Sequence, residues 1–435
     1  MGALGVIDIG SHKIKVAIFS SEEGGIPEIL SVAEIESKGV DKGSILKPST
    51  AKRQIKKAVE IAENGAGVSA DAYYVIISHP NLKSSNEKAF LDFKGELTEI
   101  DETHLAELKR QVEENAKEQG FQIIHIIPRY YLLDGEKHYE PEGLVASKIE
   151  AEYHVIKLPL ITVKNTERII TALKLIPQGN LFGAYTASLG ILDDEDYENN
   201  ILLVDLGHTT TSYIYFKDGA PLYSGVLNVG GKLVTEEIAH AFGIPYQEAE
   251  RLKHEYAAVG TVEVGEEEEV IAKDKEGHDV AIPLRDLIQL TDEVIREIFE
   301  AILLELYKKG VDLEEEIDEI VLIGGGAHIK GIKELISQVG PFSVRLGIPK
   351  NISSLHDKAM DPQFAQAVGV AVYTSIGDED RVSSEGLFTG PLNELLEENL
   401  ELESLSTEET AEKGSKGKGI LGKIAAFFKN IFSGD

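Results

Sequence analysis

One strand–turn–strand device occurs twice in this chain, and nothing else in the sequence restricts the fold as much. Residues 4–9 and 14–19 read as strands joined by the tight turn Gly10-Ser11-His12-Lys13. Far downstream, Ile201-Leu202-Leu203-Val204-Asp205 enters the turn Gly207-His208-Thr209-Thr210, and Ser212 to Phe216 leaves it. Both copies set an Asp two residues before a Gly, Asp8 with Gly10 and Asp205 with Gly207. A duplicated unit implies two related lobes. A chain of 435 residues has room for them, since a domain usually holds about 100–200 residues.

A turn that binds phosphate needs small residues, so that backbone N–H groups can approach the anion, and a carboxylate to hold a magnesium ion through its waters. Asp8-Ile9-Gly10-Ser11 and Asp205-Leu206-Gly207-His208 each supply that set. Taken singly, Asp-x-Gly after a strand is more often an ordinary hairpin turn. Duplication changes the weighting, as does a third buried strand, Glu319-Ile320-Val321-Leu322-Ile323, that runs into Gly324-Gly325-Gly326. Competing signatures are missing: the sequence contains no G-x-x-x-x-G-K-[ST], no G-x-G-x-x-G and no H-E-x-x-H. The 12 His are scattered along the chain and read as surface or packing residues rather than metal ligands.

Charge removes further classes. Lys+Arg total 43 against 75 Asp+Glu, a formal charge of -32, and such a surface repels nucleic-acid phosphates. No Cys is present, which excludes disulfides, thiolate metal sites and a cysteine nucleophile. Met1-Gly2-Ala3-Leu4 runs straight into a strand pattern without a basic leader, and Val6 stands where myristoylation wants Ser or Thr. No uncharged run approaches the ~20 residues that span a bilayer. A cytoplasmic protein is expected.

Between the two hairpins, residues 83–162 form an unlike stretch, with a helical pattern around 102–118 and strands at 122–127, 129–133 and 150–157. Beyond the second hairpin, Pro245 opens a helix to about Tyr256, Val262–Val270 suggests an acidic hairpin, and Pro283 to Lys309 reads as one long helix closed by Gly310. From about Gly377 the character changes. Residues 391–412 carry eight Glu and no basic residue, the pattern of a solvated tether, and the final segment is lysine-rich.

At about 100° per residue, Ile420, Leu421, Ile424, Ala425, Phe427, Phe428, Ile431 and Phe432 share an arc of roughly 160°. Lys423, Lys429 and Asn430 fall on the other side. Such a helix lies in the headgroup plane of a membrane; the alternative is a terminal helix docked on the body of the protein. A flexible tether of roughly 40 residues reaches about 35 Å, which favours the membrane.

The paired hairpins and the Gly triplet resemble the actin, Hsp70 and sugar-kinase superfamily, whose two α/β, ribonuclease H-like lobes clamp ATP. The resemblance assigns Asp8, Gly10, Ser11 and Lys15 to the first phosphate turn, and Asp205, Gly207, His208 and Thr209 to the second. Asp8 and Asp205 would hold Mg2+ through water. Gly324, Gly325 and Gly326 would form the adenosine turn, Glu250 and Lys253 would touch the ribose, and Gly230-Gly231 would bring backbone near the phosphates. A solvated i, i+3 pair is the alternative for Glu250 and Lys253.

Within that superfamily, Pro128-Arg129-Tyr130-Tyr131-Leu132-Leu133-Asp134, Glu140-Pro141-Glu142-Gly143-Leu144 and Ala151-Glu152-Tyr153-His154-Val155 resemble subdomain 1C of the FtsA family of bacterial cell division proteins. The resemblance divides the chain into subdomains 1A (1–82, 163–199 and 351–376), 1C (83–162), 2A (200–231 and 317–350) and 2B (232–316), with an acidic linker over 377–418 and a membrane helix over 419–435. It implies a peripheral protein that polymerises on the cytoplasmic face of the membrane at the division site. There it would tether the FtsZ ring by taking the acidic C-terminal peptide of FtsZ near Arg285 and Arg296, and would meet later division proteins through 1C. Two departures bear on catalysis. The second turn has lost two Gly and a final acid, and Gly183-Ala184 stands where relatives orient a water with Gln or Glu. Asp205 is then the one catalytic candidate, and ATP is expected to be bound but turned over slowly or not at all. A pilus-assembly scaffold similar to PilM and a small-molecule kinase are the rival readings; neither explains the terminal helix.

Overall fold

The computed structural model describes residues 2–22, 24–260, 265, 268–354 and 356–376. The acidic linker and terminal helix read in the sequence lie outside them. Two mixed sheets carry the two hairpins, and they share one plan. In the first, Ala3–Ile9 pairs antiparallel with Lys13–Ser20, which pairs antiparallel with Glu28–Glu36; on its other side Ala3–Ile9 pairs parallel with Ala70–Ile76, beyond which lies Pro177–Leu181. In the second, Ile201–Leu206 pairs antiparallel with Thr211–Lys217, then Ala220–Leu227; its parallel neighbour is Glu319–Ile323, followed by Ser343–Leu346. Even the register repeats, with Asp8 opposite Lys15 and Asp205 opposite Ser212, each one pair short of the turn.

Their central strands are buried on both faces, as continuous runs such as Val6-Ile7 and Ile201-Leu202-Leu203-Val204 require. Between the sheets lie the helices Gly183–Ile191 and Ala365–Ser375, every residue of the second being buried. Glycine lets them approach. A β-carbon on Gly190 would come within 3.2 Å of Gly369 Cα, and one on Gly369 would collide with the Thr186 carbonyl. Thr186 Oγ1 donates across the pair to the Gln366 carbonyl at 3.1 Å.

The stretch after the first hairpin folds as a separate antiparallel sheet in the order Glu136–His138, Phe121–Leu133, Lys148–Pro159, Lys83–Asp92, packed on the helix Glu102–Ala116. Asp101 caps that helix by accepting from the Thr103 and His104 amides. The sequence pattern suggests two strands broken at Pro128, but the structure has one strand, Phe121–Leu133. A register shift between Glu152 and Tyr153 absorbs the missing N–H of Pro128. The insert is tied to the second sheet by buried polar contacts. His154 binds Asn86 at 2.7 Å and Ser224 Oγ at 2.8 Å, and the Asn86 amide donates to the Leu222 carbonyl.

Most of Val262–Val270, read in the sequence as an acidic hairpin, lies outside the described residues, and a hairpin follows it. Glu269–Lys273 pairs with Asp279–Pro283 around a turn in which Asp274 Oδ1 accepts from the Glu276 and His278 amides. The long helix is Leu284–Lys308, with Gly310 at φ 91° behind it, within one residue of the sequence reading.

Since the two glycine-bearing helices touch backbone to backbone, Gly369→Ala should cost about 1–3 kcal/mol of stability, read as a lower urea midpoint. An unchanged midpoint would mean that the helices separate freely.

Candidate functional site

The two hairpin tips face each other across a cavity of about 380 Å³, within the size range of small-ligand pockets. Of the residues singled out in the sequence, Asp8, Gly10, Ser11, Lys15, Asp205, Gly207, His208, Thr209, Gly231, Glu250, Lys253, Gly324, Gly325 and Gly326 all line it. Gly230 does not. It packs behind the second turn, where a β-carbon would come within 2.6 Å of the Gly207 carbonyl oxygen.

The tips are glycine for steric reasons. A β-carbon at Gly10 would meet the Lys13 carbonyl at 2.6 Å, and one at Gly207 the Thr210 carbonyl at 2.7 Å. Gly324 has φ 85°, and a side chain there would run into the Asp205 carboxylate. The tips also touch. Thr209 Oγ1 donates to Ser11 Oγ at 2.6 Å, and the Lys42 amide lies 3.0 Å from Ser11 Oγ. The helix Gly231–Phe242 starts at the cavity wall, its first amide donating to the Gly207 carbonyl at 2.9 Å, so its dipole favours an anion there.

Two carboxylates meet at the floor. Lys15 Nζ lies 3.0 Å from Asp8 Oδ2, and Gln366 Nε2 donates to Asp205 Oδ2 at 2.5 Å. Burial pushes the Asp205 carboxyl up to about 6; Lys15 opposes this and the Asp8 carboxylate adds to it. Burial disfavours the Lys15 ammonium, but Asp8 and Asp205 outweigh it, so its pKa rises. Two acids with one ammonium leave negative charge at the floor, and that set fits a divalent cation held among oxygens and waters.

Glu250 and Lys253 are not a solvated pair. Lys253 Nζ reaches Glu250 Oε2 at 2.8 Å, Thr235 Oγ1 at 2.8 Å and the Gly231 carbonyl at 3.3 Å. Burial alone would raise the Glu250 pKa, but bonds from Lys253 and Thr235 take it down to about 2; burial lowers Lys253. Arg285 and Arg296 lie away from the cavity on the long helix. Arg285 is exposed, and Arg296 contacts Asp292 at 3.2 Å and Gln338 at 3.4 Å. Ile420, Leu421, Ile424, Phe427, Phe428, Ile431 and Phe432 lie outside the described residues.

The structure adds residues that no motif marks. Gln366 is the first. A β-carbon at Gly183 would collide with its side chain, so Gly183 is the gap through which Gln366 reaches Asp205. Its signal was available, as a long amide in the otherwise apolar segment Ala365-Gln366-Ala367-Val368. Three His also gather at the cavity. The rings of His12 and His208 are 4.9 Å apart and those of His12 and His254 5.8 Å. Burial lowers the pKa of His12, and that of His208 to about 4.

Comparison with known proteins follows this geometry. Residues 202–369 match the family model described as "Cell division protein FtsA", and residues 80–157 the model described as "SHS2 domain inserted in FTSA". The cell division protein FtsA of Borreliella burgdorferi is 27% identical over 371 residues, 84% of this chain and 89% of that one. Its counterpart in Escherichia coli K12 is 26% identical over 393 residues, 87% of this chain and 91% of that one. Among solved structures, the PilM-PilN type IV pilus biogenesis complex matches with a TM-score of 0.59 at 17% identity, covering 86% of this chain and 99% of the other. MreB5 of Spiroplasma citri bound to AMPPNP matches with 0.52 at 10% identity, covering 93% and 99%. These likenesses identify the fold as actin-like.

An Asp205 carboxyl that titrates near 6 when folded and near 3.9 when unfolded binds more protons in the native state between those values. Its contribution to stability therefore falls as pH rises from about 4 through 6. Asp205→Asn keeps an acceptor for Gln366 and removes the ionisation. Urea midpoints of the ligand-free protein at about pH 5 and pH 7 should fall less in the variant than in the parent; an equal or steeper fall would contradict this.

Proposed function

The chain belongs to the FtsA family of cell division proteins, and from that premise we propose that it is an ATP-binding, membrane-bound polymer that tethers the FtsZ ring. The observation that carries the nucleotide part is the meeting of both Asp-x-Gly turns, the Gly324-Gly325-Gly326 turn and the Glu250–Lys253 pair around one cavity. Backbone amides of Gly10, Ser11, Gly207, His208 and Thr209 cradle the phosphates, with Lys15 and the start of the helix at Gly231 supplying positive charge. Gly324, Gly325 and Gly326 back the adenosine, and Glu250 and Lys253 take the ribose hydroxyls. Mg2+, when bound near Asp8 and Asp205 through its waters, neutralises phosphate charge.

Hydrolysis is slow in this reading. Asp205 is held by Gln366, and among the described residues that line the cavity no carboxylate is free at Gly183-Ala184 to orient a water. The nucleotide then acts as a clasp between lobes that already touch through Ser11 and Thr209, and sets their orientation for self-association. Phosphate release should run below about 1 s⁻¹, the low end for ordinary kinases. A steady-state rate within the kinase range would refute the clasp.

Attachment is assigned to residues 419–435, whose sequence puts Ile420, Leu421, Ile424, Phe427, Phe428, Ile431 and Phe432 on one arc. Among the described residues no helix is long and apolar enough to cross a membrane. One interfacial helix binds lipid weakly, so many copies in a polymer multiply the attachment. Arg285 and Arg296 on the long helix offer cations to the acidic FtsZ tail, and the insert over 83–162 offers a surface for later division proteins. Co-sedimentation with anionic liposomes tests the tether. The full chain should carry purified FtsZ down, and a chain ending at Glu412 should leave both in the supernatant. Equal sedimentation of the shortened chain would remove the tail from the account.

A further inference from the structure

We propose that His12, His208 and Glu250 form a site for a zinc-type transition-metal cation at the mouth of the cleft, separate from the carboxylate pair at its floor. One donor atom from each lies within 4.8 Å of the others. The three come from different segments, namely the tip of the first hairpin, the tip of the second and the helix Tyr246–Tyr256. Among the described residues neither imidazole has a hydrogen-bond partner, although both are only partly exposed, so their ring nitrogens are uncommitted where they face each other. The carboxylate is already aimed: Oε2 takes Lys253 and Thr235, and Oε1 takes His254 Nε2 at 3.1 Å.

Two imidazoles and a carboxylate are a donor set that suits zinc, nickel, copper or iron and not magnesium, which selects oxygen and keeps its waters. His254, beside both His12 and Glu250, can complete a tetrahedron directly or orient the carboxylate from behind. Tetrahedral bonds of 2.0–2.1 Å place donor atoms about 3.3 Å apart, so a spread of up to 4.8 Å contracts by as much as about 1.5 Å on binding. Lys253, whose ammonium opposes a second cation, stays engaged on Oε2 while the ion takes Oε1. Because His12 belongs to the first sheet and His208 to the second, that contraction draws the hairpin tips together. An ion here locks the lobes closed without any nucleotide.

The test uses the full chain, purified without a histidine tag and without nucleotide. Titration with Co2+ should give the strong visible absorption of a tetrahedral site at one ion per chain, bleached by Zn2+. His12→Ala and His208→Ala, which alter different lobes, should each weaken binding at least about tenfold, and Glu250→Gln should do the same. His278→Ala, which removes a surface imidazole paired only with Asp274, should change nothing. Absence of the tetrahedral spectrum, or affinity equal to the parent's in either tip variant, would overturn the site, as would a loss in His278→Ala as large as theirs, the mark of scattered surface binding. The inference does not rest on the nucleotide reading: Mg-ATP binding without cobalt uptake sinks only the metal site, and cobalt uptake without Mg-ATP binding sinks only the nucleotide assignment.

Discussion

Two carboxylates share one ammonium at the meeting of the two sheets, and the rest of the cleft is arranged around that imbalance. Asp8 has Lys15 at 3.0 Å, whereas Asp205 has only the neutral amide of Gln366 and the more distant field of Lys15. An unpaired charge withdrawn from water is costly, and the upward displacement of Asp205 is the form that cost takes here. A divalent cation would remove it. The floor of the cleft thus favours a divalent cation among its oxygens, as the proposed nucleotide site requires.

Strong and weak contacts are divided accordingly. Between the two sheets, the helices Gly183–Ile191 and Ala365–Ser375 meet over glycines with nearly all their residues buried, so this contact is packed like a core. At the tips, the lobes meet through Ser11, Thr209 and the Lys42 amide, and hydrogen bonds of this kind contribute about 0.5–1.5 kcal/mol each. The insert is fixed to the second sheet by His154, Asn86 and Ser224. Burial holds His154 well below its ordinary pKa, to about 3, so it stays neutral and the network does not respond to physiological pH.

Much of this was legible in the sequence because it rests on local rules. The hairpins announce themselves by apolar strands ending in Asp-x-Gly, and the long helix by its period and by Pro283 and Gly310 at its ends. The turn residues of the cavity could be named for the same reason, since glycine at Gly10 and Gly207 is dictated by carbonyls a few residues away, whereas Lys15, Glu250, Lys253 and the role of Gly324 were named only through the family resemblance. What stayed hidden depends on long-range approach. Gln366 matters only because Gly183 leaves room for it, and His12, His208 and His254 look scattered until the two lobes fold toward each other. Pro128 misleads in the opposite sense, because a bulge against Glu152 and Tyr153 lets a strand continue where the residue alone predicts a break.

Tightly packed helices between the sheets and a few hydrogen bonds between the hairpin tips bear on how the proposed clasp would work. Ligands that contact both tips shift the lobe equilibrium by their differential affinity for the closed form, and couplings of about 1–3 kcal/mol are typical of such linkage. That is comparable to the few tip contacts it would have to reinforce and far below what would be needed to repack the helices between the sheets. In the proposed clasp, small inputs at Ser11, Thr209 and their neighbours would be sufficient to set lobe orientation without turnover of the ligand. A polymer whose subunits fit together only in one lobe orientation would read such an input directly, and the slow turnover proposed for this cleft would be compatible with that role.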